Sequence, residues 1–285
     1  MSATLRVVAT PIGNLRDLSP RAIDALATST IVLAEDTRHT RPLLEHFGVS
    51  ARLVSCHQHN ETERTALVVE HLARGEPVAL VSDAGAPGIS DPGGRLVDAV
   101  RAAGHVVEVF PGPSAVVAAL MGAGLVSHRF AFVGFLPKRK KARDALVESV
   151  ARAGLALVCF EAPSRVQKTL DDLARVLGPR RVVVARELTK RFETFHAGIL
   201  GEDLTPPLDA RGEFVVVVEA QEDDGPSDAS LTDDALEKWS ADDRPLAARA
   251  KELAKELRIP RREAYALLVE RGAHVEQSVD DGEEE

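Results

Sequence analysis

The stretch Val81-Ser82-Asp83-Ala84-Gly85-Ala86-Pro87-Gly88-Ile89-Ser90-Asp91-Pro92-Gly93-Gly94 decides how the chain is read. Four glycines, two prolines, two aspartates and two serines fall within these fourteen residues. An apolar run, Val78 to Val81, precedes it, and a helical pattern with Leu96, Val97, Ala99 and Val100 apolar follows. The stretch therefore sits at the carboxyl end of a strand, where open α/β sheets hold their ligands. Glycine admits positive φ and close approach of the backbone, and proline stiffens turns and removes donors. Such a loop holds a polar ligand mainly through main-chain N–H and C=O groups. A surface loop is the plainer account, but a simple turn needs far fewer of these residues.

Outward from this loop, apolar runs alternate with helical patterns. Leu5–Ala9, Ile31–Ala34, Arg52–Cys56 and Val106–Phe110 read as strands. Ser19 then Pro20 mark a helix start as N-cap and first helical residue. Asn60 followed by Glu63 resembles a capping box and opens a helix to about Ala73. This spacing predicts an α/β domain, residues 1–112, with a mostly parallel sheet. Three more polar or turn-rich segments follow strands: Thr10-Pro11-Ile12-Gly13-Asn14, Glu35-Asp36-Thr37-Arg38 and Pro111-Gly112-Pro113-Ser114-Ala115. The last opens an apolar helix, Val116 to Met121, whose first N–H groups suit a carboxylate or phosphate. Ordinary capping explains Ser114 equally well.

Residues 113–220 read as a second α/β domain with a mixed sheet, because strands there follow one another with fewer helices. Phe130–Leu136, Ala156–Phe160, Arg181–Ala185 and the run from Phe214 to Val218 are its strands, with Phe192, Thr194 and His196 facing one side of another. Lys138, Arg139, Lys140, Lys141 and Arg143 form a basic cluster, readable as a solvated helix face or as phosphate contacts. Residues 221–230 read as an acidic linker and 276–285 as an acidic tail. Between them, 231–275 has helix-turn-helix-like spacing, with Arg258, Arg261 and Arg262 at the turn.

The net charge of −9 is unevenly spread. Residues 221–285 carry 19 acidic against 9 basic side chains, whereas 1–220 carry 25 against 26. The larger part is near neutral, so overall charge does not exclude RNA as a partner. Only 4% of residues are aromatic, so sequence-tolerant base stacking is not advertised. Two distant cysteines, Cys56 and Cys159, point to a reducing, cytoplasmic setting without a disulfide framework. No apolar run approaches the ~20 residues of a membrane span. His57 and His59 flank Gln58 beside Cys56 without a third ligand at metal spacing, so no metal is expected. His39, His46 and His71 lie on helical stretches and read as surface residues. Neither a dinucleotide fingerprint nor a Walker loop is present.

Six motifs occur in order: T-P-I-G-N-L (Thr10–Leu15), A-E-D-T-R (Ala34–Arg38), S-D-A-G-A-P-G-I-S-D-P (Ser82–Pro92), P-G-P-S-A (Pro111–Ala115), F-E-A-P-S-R (Phe160–Arg165) and R-E-L-T-K (Arg186–Lys190). Together they resemble the tetrapyrrole-methylase superfamily of S-adenosylmethionine-dependent methyltransferases, over about residues 5–219 and extending to the small helical unit near 231–272. Within it they are similar to the branch that methylates the 2′-oxygen of a cytidine in small-subunit ribosomal RNA. The first loop departs from the porphyrinoid branch, which resembles G-x-G-x-G-D where this chain has T-P-I-G-N. The resemblance implies two α/β domains with the methyl donor in the cleft between them, a homodimer, and ribosomal RNA or the small ribosomal subunit as partner. It implies donor contacts at Pro11, Asp83, Gly85, Pro87, Gly88, Ile89, Ser90, Ser114, Ala115 and Phe160, and the basic cluster and the helical turn offer RNA contacts at Lys138, Arg139, Lys140, Arg258, Arg261 and Arg262. Displacement at a methyl carbon demands alignment and exclusion of water rather than a metal. A ribose hydroxyl is a poor nucleophile, so a positioned base is expected. Glu187, Lys190, Asp36 and Arg38 are the catalytic candidates, with Glu35 beside them; ion pairs with Arg38 or Arg186 account for the same residues. C-methylation of a tetrapyrrole, or DNA binding by the C-terminal helices, are the competing readings.

Overall fold

The computed structural model describes residues 3–125, 129–220, 228–257 and 261–271. The chain divides into two compact units, Met1–Ala220 and Gln221–Glu285.

The first unit holds two five-stranded sheets. In the first, β1 (Thr4–Val8), β2 (Ile31–Ala34), β3 (Arg52–Ser55), β4 (Val78–Leu80) and β5 (Val106–Phe110) run parallel in the order β3-β2-β4-β1-β5. Every residue of β2 and β4 is buried, as a parallel sheet covered on both faces requires. One face packs on α1 (Pro20–Ala27) and α2 (Thr37–His46) through Leu26, Val32 and Leu44. The other packs on α3 (Glu61–Ala73) and α4 (Gly94–Ala102) through Val68, Leu72, Leu96 and Val100. Because all five strands point one way, the loops after β1, β2, β4 and β5 gather at one edge.

The local signals are mostly obeyed. Ser19 caps α1, its hydroxyl accepting from Ala22 N–H at 3.2 Å. The capping box at Asn60 does not form. Its side-chain oxygen instead accepts from His57 N–H at 2.8 Å, and its amide donates to Ser55 C=O, so Asn60 closes the turn before α3. His71 is buried rather than superficial, held between Glu76 and Arg74.

The second sheet has the order β6-β7-β10-β8-β9, from β6 (Phe130–Phe135), β7 (Ala156–Glu161), β8 (Arg181–Arg186), β9 (Thr194–Ile199) and β10 (Phe214–Val218). It is mixed: β6 and β7 are parallel, and the remaining pairs are antiparallel. Phe192 lies before β9, outside the strand. The β-branched run Val215–Val218 fills the central strand, where it is buried throughout. Helix α5 (Ala115–Ala123) covers one face, and α6 (Lys140–Arg152) and α7 (Val166–Leu177) cover the other. Ile12, from the loop after β1, joins the α5 layer, so the first loop plugs into the second sheet's core.

The second unit contains α8 (Asp228–Ser240), α9 (Leu246–Leu257) and α10 (Arg261–Glu270) around Leu236, Ala250, Leu253, Ala264 and Leu268. The sequence pattern marks only the last two helices and runs the linker to 230, whereas α8 begins at Asp228. Arg258, most of the linker and the acidic tail lie outside the described residues.

Candidate active-site cleft

The loop Val81–Gly93 is held by its own polar groups and by neighbouring loops. Thr10 and Gly85 exchange backbone hydrogen bonds of 2.8 and 3.1 Å, tying the loop after β1 to the loop after β4. Asp83 accepts from Asp36 N–H at 3.0 Å and faces His39 Nδ1 at 3.3 Å, tying in the loop after β2. Glu61 reaches across from α3, and one carboxylate oxygen accepts from both Gly93 and Leu96 N–H, at 3.1 and 3.0 Å. It thereby caps α4, whose own N-cap is a glycine. At Gly88, φ is +81° and an added Cβ would meet only Gly94 backbone at 3.7 Å. Backbone conformation, rather than lack of room, is what calls for glycine there.

A cleft of ≈ 410 Å³ opens beside this loop, lined by Ile12, Ala84, Ser90 and Asp91 from the first half and by Ala115, Phe135, Phe160 and Leu188 from the second. Of the implied donor contacts, Ser90, Ala115 and Phe160 line it. Pro87 and Gly88 line a separate apolar hollow of ≈ 430 Å³ against Val107, Val109 and Phe110. Gly85 is buried in the Thr10 bridge, Pro11 is buried beside it, and Ile89 is exposed. Ser114 makes no side-chain cap; the first bond into α5 runs from Ala118 N–H to Ser114 C=O. Among the described residues, no acceptor meets the N–H groups of Ala115, Val116 and Val117.

The charged candidates fall into two groups. Asp36 and Arg38 pair with each other at 2.6 Å, and Arg38 holds the Asp36 carboxyl far below the usual carboxylate range. Glu187 and Lys190 pair at 3.0 Å, and Lys190 also reaches Glu213 at 2.9 Å. Glu187 further accepts from Glu213 N–H at 3.0 Å. Partial burial works against its charge, yet Lys190 and that N–H keep its carboxyl below the ordinary value. Glu187 and Thr189 both have positive φ, 52° and 63°, an uncommon conformation for side-chain-bearing residues. This tight turn meets the first loop: Asn14 N–H donates to Thr189 Oγ1 at 3.1 Å, and a Cβ on Gly13 would collide with Lys190. The R-E-L-T-K motif is thus a latch between the two sheets, backing the cleft wall at Gly212 and Glu213.

In Phe160-Glu161-Ala162-Pro163-Ser164-Arg165, the residues from Phe160 to Pro163 line the cleft, and the polar groups of the motif serve the fold. Glu161 is buried, accepts from Thr169 hydroxyl at 2.6 Å and pairs with Arg165 at 3.3 Å. Arg165 also donates to Leu136 C=O at 2.9 Å.

Asp91 is not among the sequence candidates. It lines the cleft and also a second hollow, of ≈ 450 Å³, with His59, Glu61 and Arg95. Burial, followed by the charges of Glu35 and Asp83, pushes its carboxyl up to about 6, although a hydrogen bond with Ser82 opposes the shift. Burial and Asp83 raise Glu35 as well, against His57. The signal is present in the sequence as the second of two aspartates in the quoted loop, but only the fold reveals which is desolvated.

The family profile described as Tetrapyrrole (Corrin/Porphyrin) Methylases matches residues 4–202. The chain belongs to the tetrapyrrole methylase family. Ribosomal RNA small subunit methyltransferase I of Xylella fastidiosa (strain Temecula1) is 50% identical over 225 residues, covering 77% of this chain and 82% of that one. The protein of the same name from Synechocystis is 42% identical over 276 residues, 93% of this chain and 97% of that one. Among solved structures, the methyltransferase CobJ superposes with a TM-score of 0.58 at 23% identity, covering 77% of this chain and 95% of that one, a likeness of fold. This methylase is a methyltransferase of two-sheet α/β architecture with a helical C-terminal unit. No helix among its described residues is long and apolar enough to cross a membrane.

The family implies S-adenosylmethionine as methyl donor, and the cleft fits it. Three unpaired N–H groups at the start of α5 suit a carboxylate, Ile12, Phe160 and Leu188 suit an adenine ring, and among the described residues no lysine or arginine lines the cleft to oppose a sulfonium.

Proposed function

We propose that this methylase transfers a methyl group to the 2′-oxygen of a cytidine ribose in small-subunit ribosomal RNA. The observation that carries the reading is the Synechocystis relative, similar over nearly the whole of both chains, helical unit included. The tetrapyrrole reading rests on likeness of fold at 23% identity or less and on the family description alone. A substrate within the ribosome also accords with a cytoplasmic setting.

S-adenosylmethionine, when bound, supplies an electrophilic methyl carbon. Ala115, Val116 and Val117 N–H groups and the backbone of Ala84, Ser90 and Asp91 would hold the donor, and Phe160 and Leu188 shield the cleft from water. Alignment of this kind accounts for much of the rate of a displacement. Asp91 takes the hydroxyl proton: it lines the cleft, and its raised pKa suits a base working near neutrality. The Glu187–Lys190 latch positions the first loop rather than moving protons. Lys138, Arg139 and Lys140 are exposed beyond β6 and offer phosphate contacts. Lys140 shares its charge with Asp144 at 2.8 Å. A homodimer is part of the reading; exposed Val109 on β5 and Val117 and Met121 on α5 form apolar surface for a second copy, and sedimentation equilibrium reads its presence.

The test is nucleoside mass spectrometry of small-subunit RNA treated with the purified protein and labelled donor. The expected result is one added methyl on a cytidine ribose. A methyl on a base, or an unmodified RNA alongside a methylated tetrapyrrole, overturns the reading.

A further inference from the structure

Strand β6 ends in a bulge that alters where Phe135 points. Phe130, Ala131 and Phe132 pair with Ala156, Leu157 and Val158 of β7, but Phe135 then pairs with Phe160. Val133 and Gly134 together oppose Cys159, so one extra residue enters β6, with Gly134 at φ +64°. Side chains alternate along a strand, so without the insertion Phe135 would share the face of Ala131 and Val133, inside the α6 and α7 core. With it, Phe135 shares the face of Phe132 and Phe160, its ring 5.7 Å from that of Phe160 and edge to face. The result is a large apolar ring left 57% exposed at the rim of the cleft.

The backbone beneath the ring is fixed. Leu136 is buried, Arg165 donates to its C=O, and buried Arg143 donates to the C=O groups of Pro137 and Lys138 at 3.4 Å. Arg143 is itself anchored to Asp172 at 2.6 Å, so this member of the basic cluster serves the fold. Across the rim, an added Cβ on Gly134 would stand 3.2 Å from Ser90 Oγ, so the bulge abuts the loop carrying Asp91. Lys138, Arg139 and Lys141, just beyond the ring, are exposed and form no ion pair among the described residues.

We infer that Phe135 is the stacking platform for the base of the target nucleotide, with Lys138, Arg139 and Lys141 taking the flanking phosphates. The inference rests on the RNA reading above and assigns its substrate subsite. A nucleobase offers a flat π-face joined to anionic phosphates, and this rim pairs a rigid aromatic with uncommitted cations. A substrate base stacked there places its ribose over the cleft that Asp91 lines.

The experiment uses the full-length protein, its Phe135→Leu and Phe135→Trp variants, and a Lys138→Ala/Arg139→Ala/Lys141→Ala variant. Three quantities are read: S-adenosylmethionine affinity by calorimetry, sedimentation, and single-turnover methylation of purified small subunits at varied subunit concentration. Phe135→Leu is expected to weaken half-saturation by subunits roughly 5- to 150-fold, with Phe135→Trp restoring it and donor affinity and oligomeric state unchanged. The triple variant is expected to weaken RNA engagement and flatten its salt dependence. Wild-type-like saturation in Phe135→Leu, an equal loss of donor affinity, or a changed oligomeric state overturns the platform while wild-type activity stands. A wild-type protein inactive on small subunits instead overturns the RNA reading itself.

Discussion

At the residue scale, Asp91 and Glu187 look alike in sequence, each a carboxylate in a loop after a strand, and the structure gives them opposite surroundings. Glu187 is fully engaged by Lys190 and Glu213 N–H. Asp91 is desolvated beside two further carboxylates. Single-turnover methylation by wild type is therefore expected to fall about tenfold per pH unit below about 6, as Asp91 takes up a proton. Asp91→Asn should lower the plateau rate by ~10²–10⁴ and abolish that limb. Stability supplies a separate readout. A carboxyl whose folded pKa lies above its unfolded value stabilises the fold below the unfolded pKa, 3.8, and that contribution is lost as pH rises through about 6. Asp91→Asn should thus match wild type in melting temperature at pH 3.5 and exceed it at pH 8. A flat rate profile together with an unchanged difference in melting temperature would remove Asp91 from the mechanism. Glu187→Gln should lower the melting temperature while leaving the single-turnover rate within about tenfold, well short of the loss of a base; a fall of 10²-fold or more with unaltered stability would restore Glu187 as the base.

At the scale of elements, Glu61 shows why caps are harder to read than strands. Its carboxylate belongs to α3 but satisfies the first N–H groups of α4, more than thirty positions on. Capping rules look within four residues, so they point to Asn60 and Glu63 instead. Glu61→Ala leaves two buried donors unmet and should cost about 1–3 kcal/mol, a drop of roughly 2–4 °C per kcal/mol in melting temperature. Glu61→Gln keeps an acceptor and should lose less; equal melting temperatures for all three proteins would show that water meets those donors. The strands are legible because burial on both faces leaves continuous apolar runs, as in Ile31–Ala34 and Phe214–Val218. Their order in the sheet is not, since it depends on pairings between distant segments. The Phe135 bulge is hidden for a related reason: one added residue changes which face a side chain takes, and only the partner strand defines the faces. Of the site, the loop glycines and the Ser114 helix start are visible as local punctuation. Asp91's desolvation and the Glu187 latch arise from packing between sheets, which no local pattern encodes.

At the scale of the whole molecule, the two compact units differ in what they contribute. All six family motifs precede Ala220, and every residue lining the cleft lies before it. The described part of the C-terminal unit has its own small core. Trp239 there donates to Glu256 and is flanked by Lys238 and Arg244, so several of the unit's charges are spent internally. Arg261 donates to Ala247 C=O at 3.0 Å, whereas Arg262 is exposed without such a bond among the described residues. Of the arginines around the turn, Arg262 is accordingly the described one best placed for a phosphate. Truncation after Ala220 should leave S-adenosylmethionine affinity unchanged, because the cleft keeps all its walls. Its effect on RNA binding combines two opposed influences. Removing 19 acidic and 9 basic side chains lessens long-range repulsion and by itself strengthens binding. Removing cations that neutralise phosphates weakens binding and reduces the salt slope by roughly 0.7–0.9 for each phosphate left unneutralised. Filter binding of small-subunit RNA over a salt series separates the two, since only the second changes how many phosphates the protein neutralises. We expect weaker binding and a shallower slope for the truncated protein, and for Arg262→Ala a slope reduced by the roughly 0.7–0.9 that a single phosphate supplies. If truncation instead strengthens binding and Arg262→Ala leaves the slope intact, the helical unit contributes only its acidic charge to RNA engagement, and the phosphates are met entirely by the rim beyond β6.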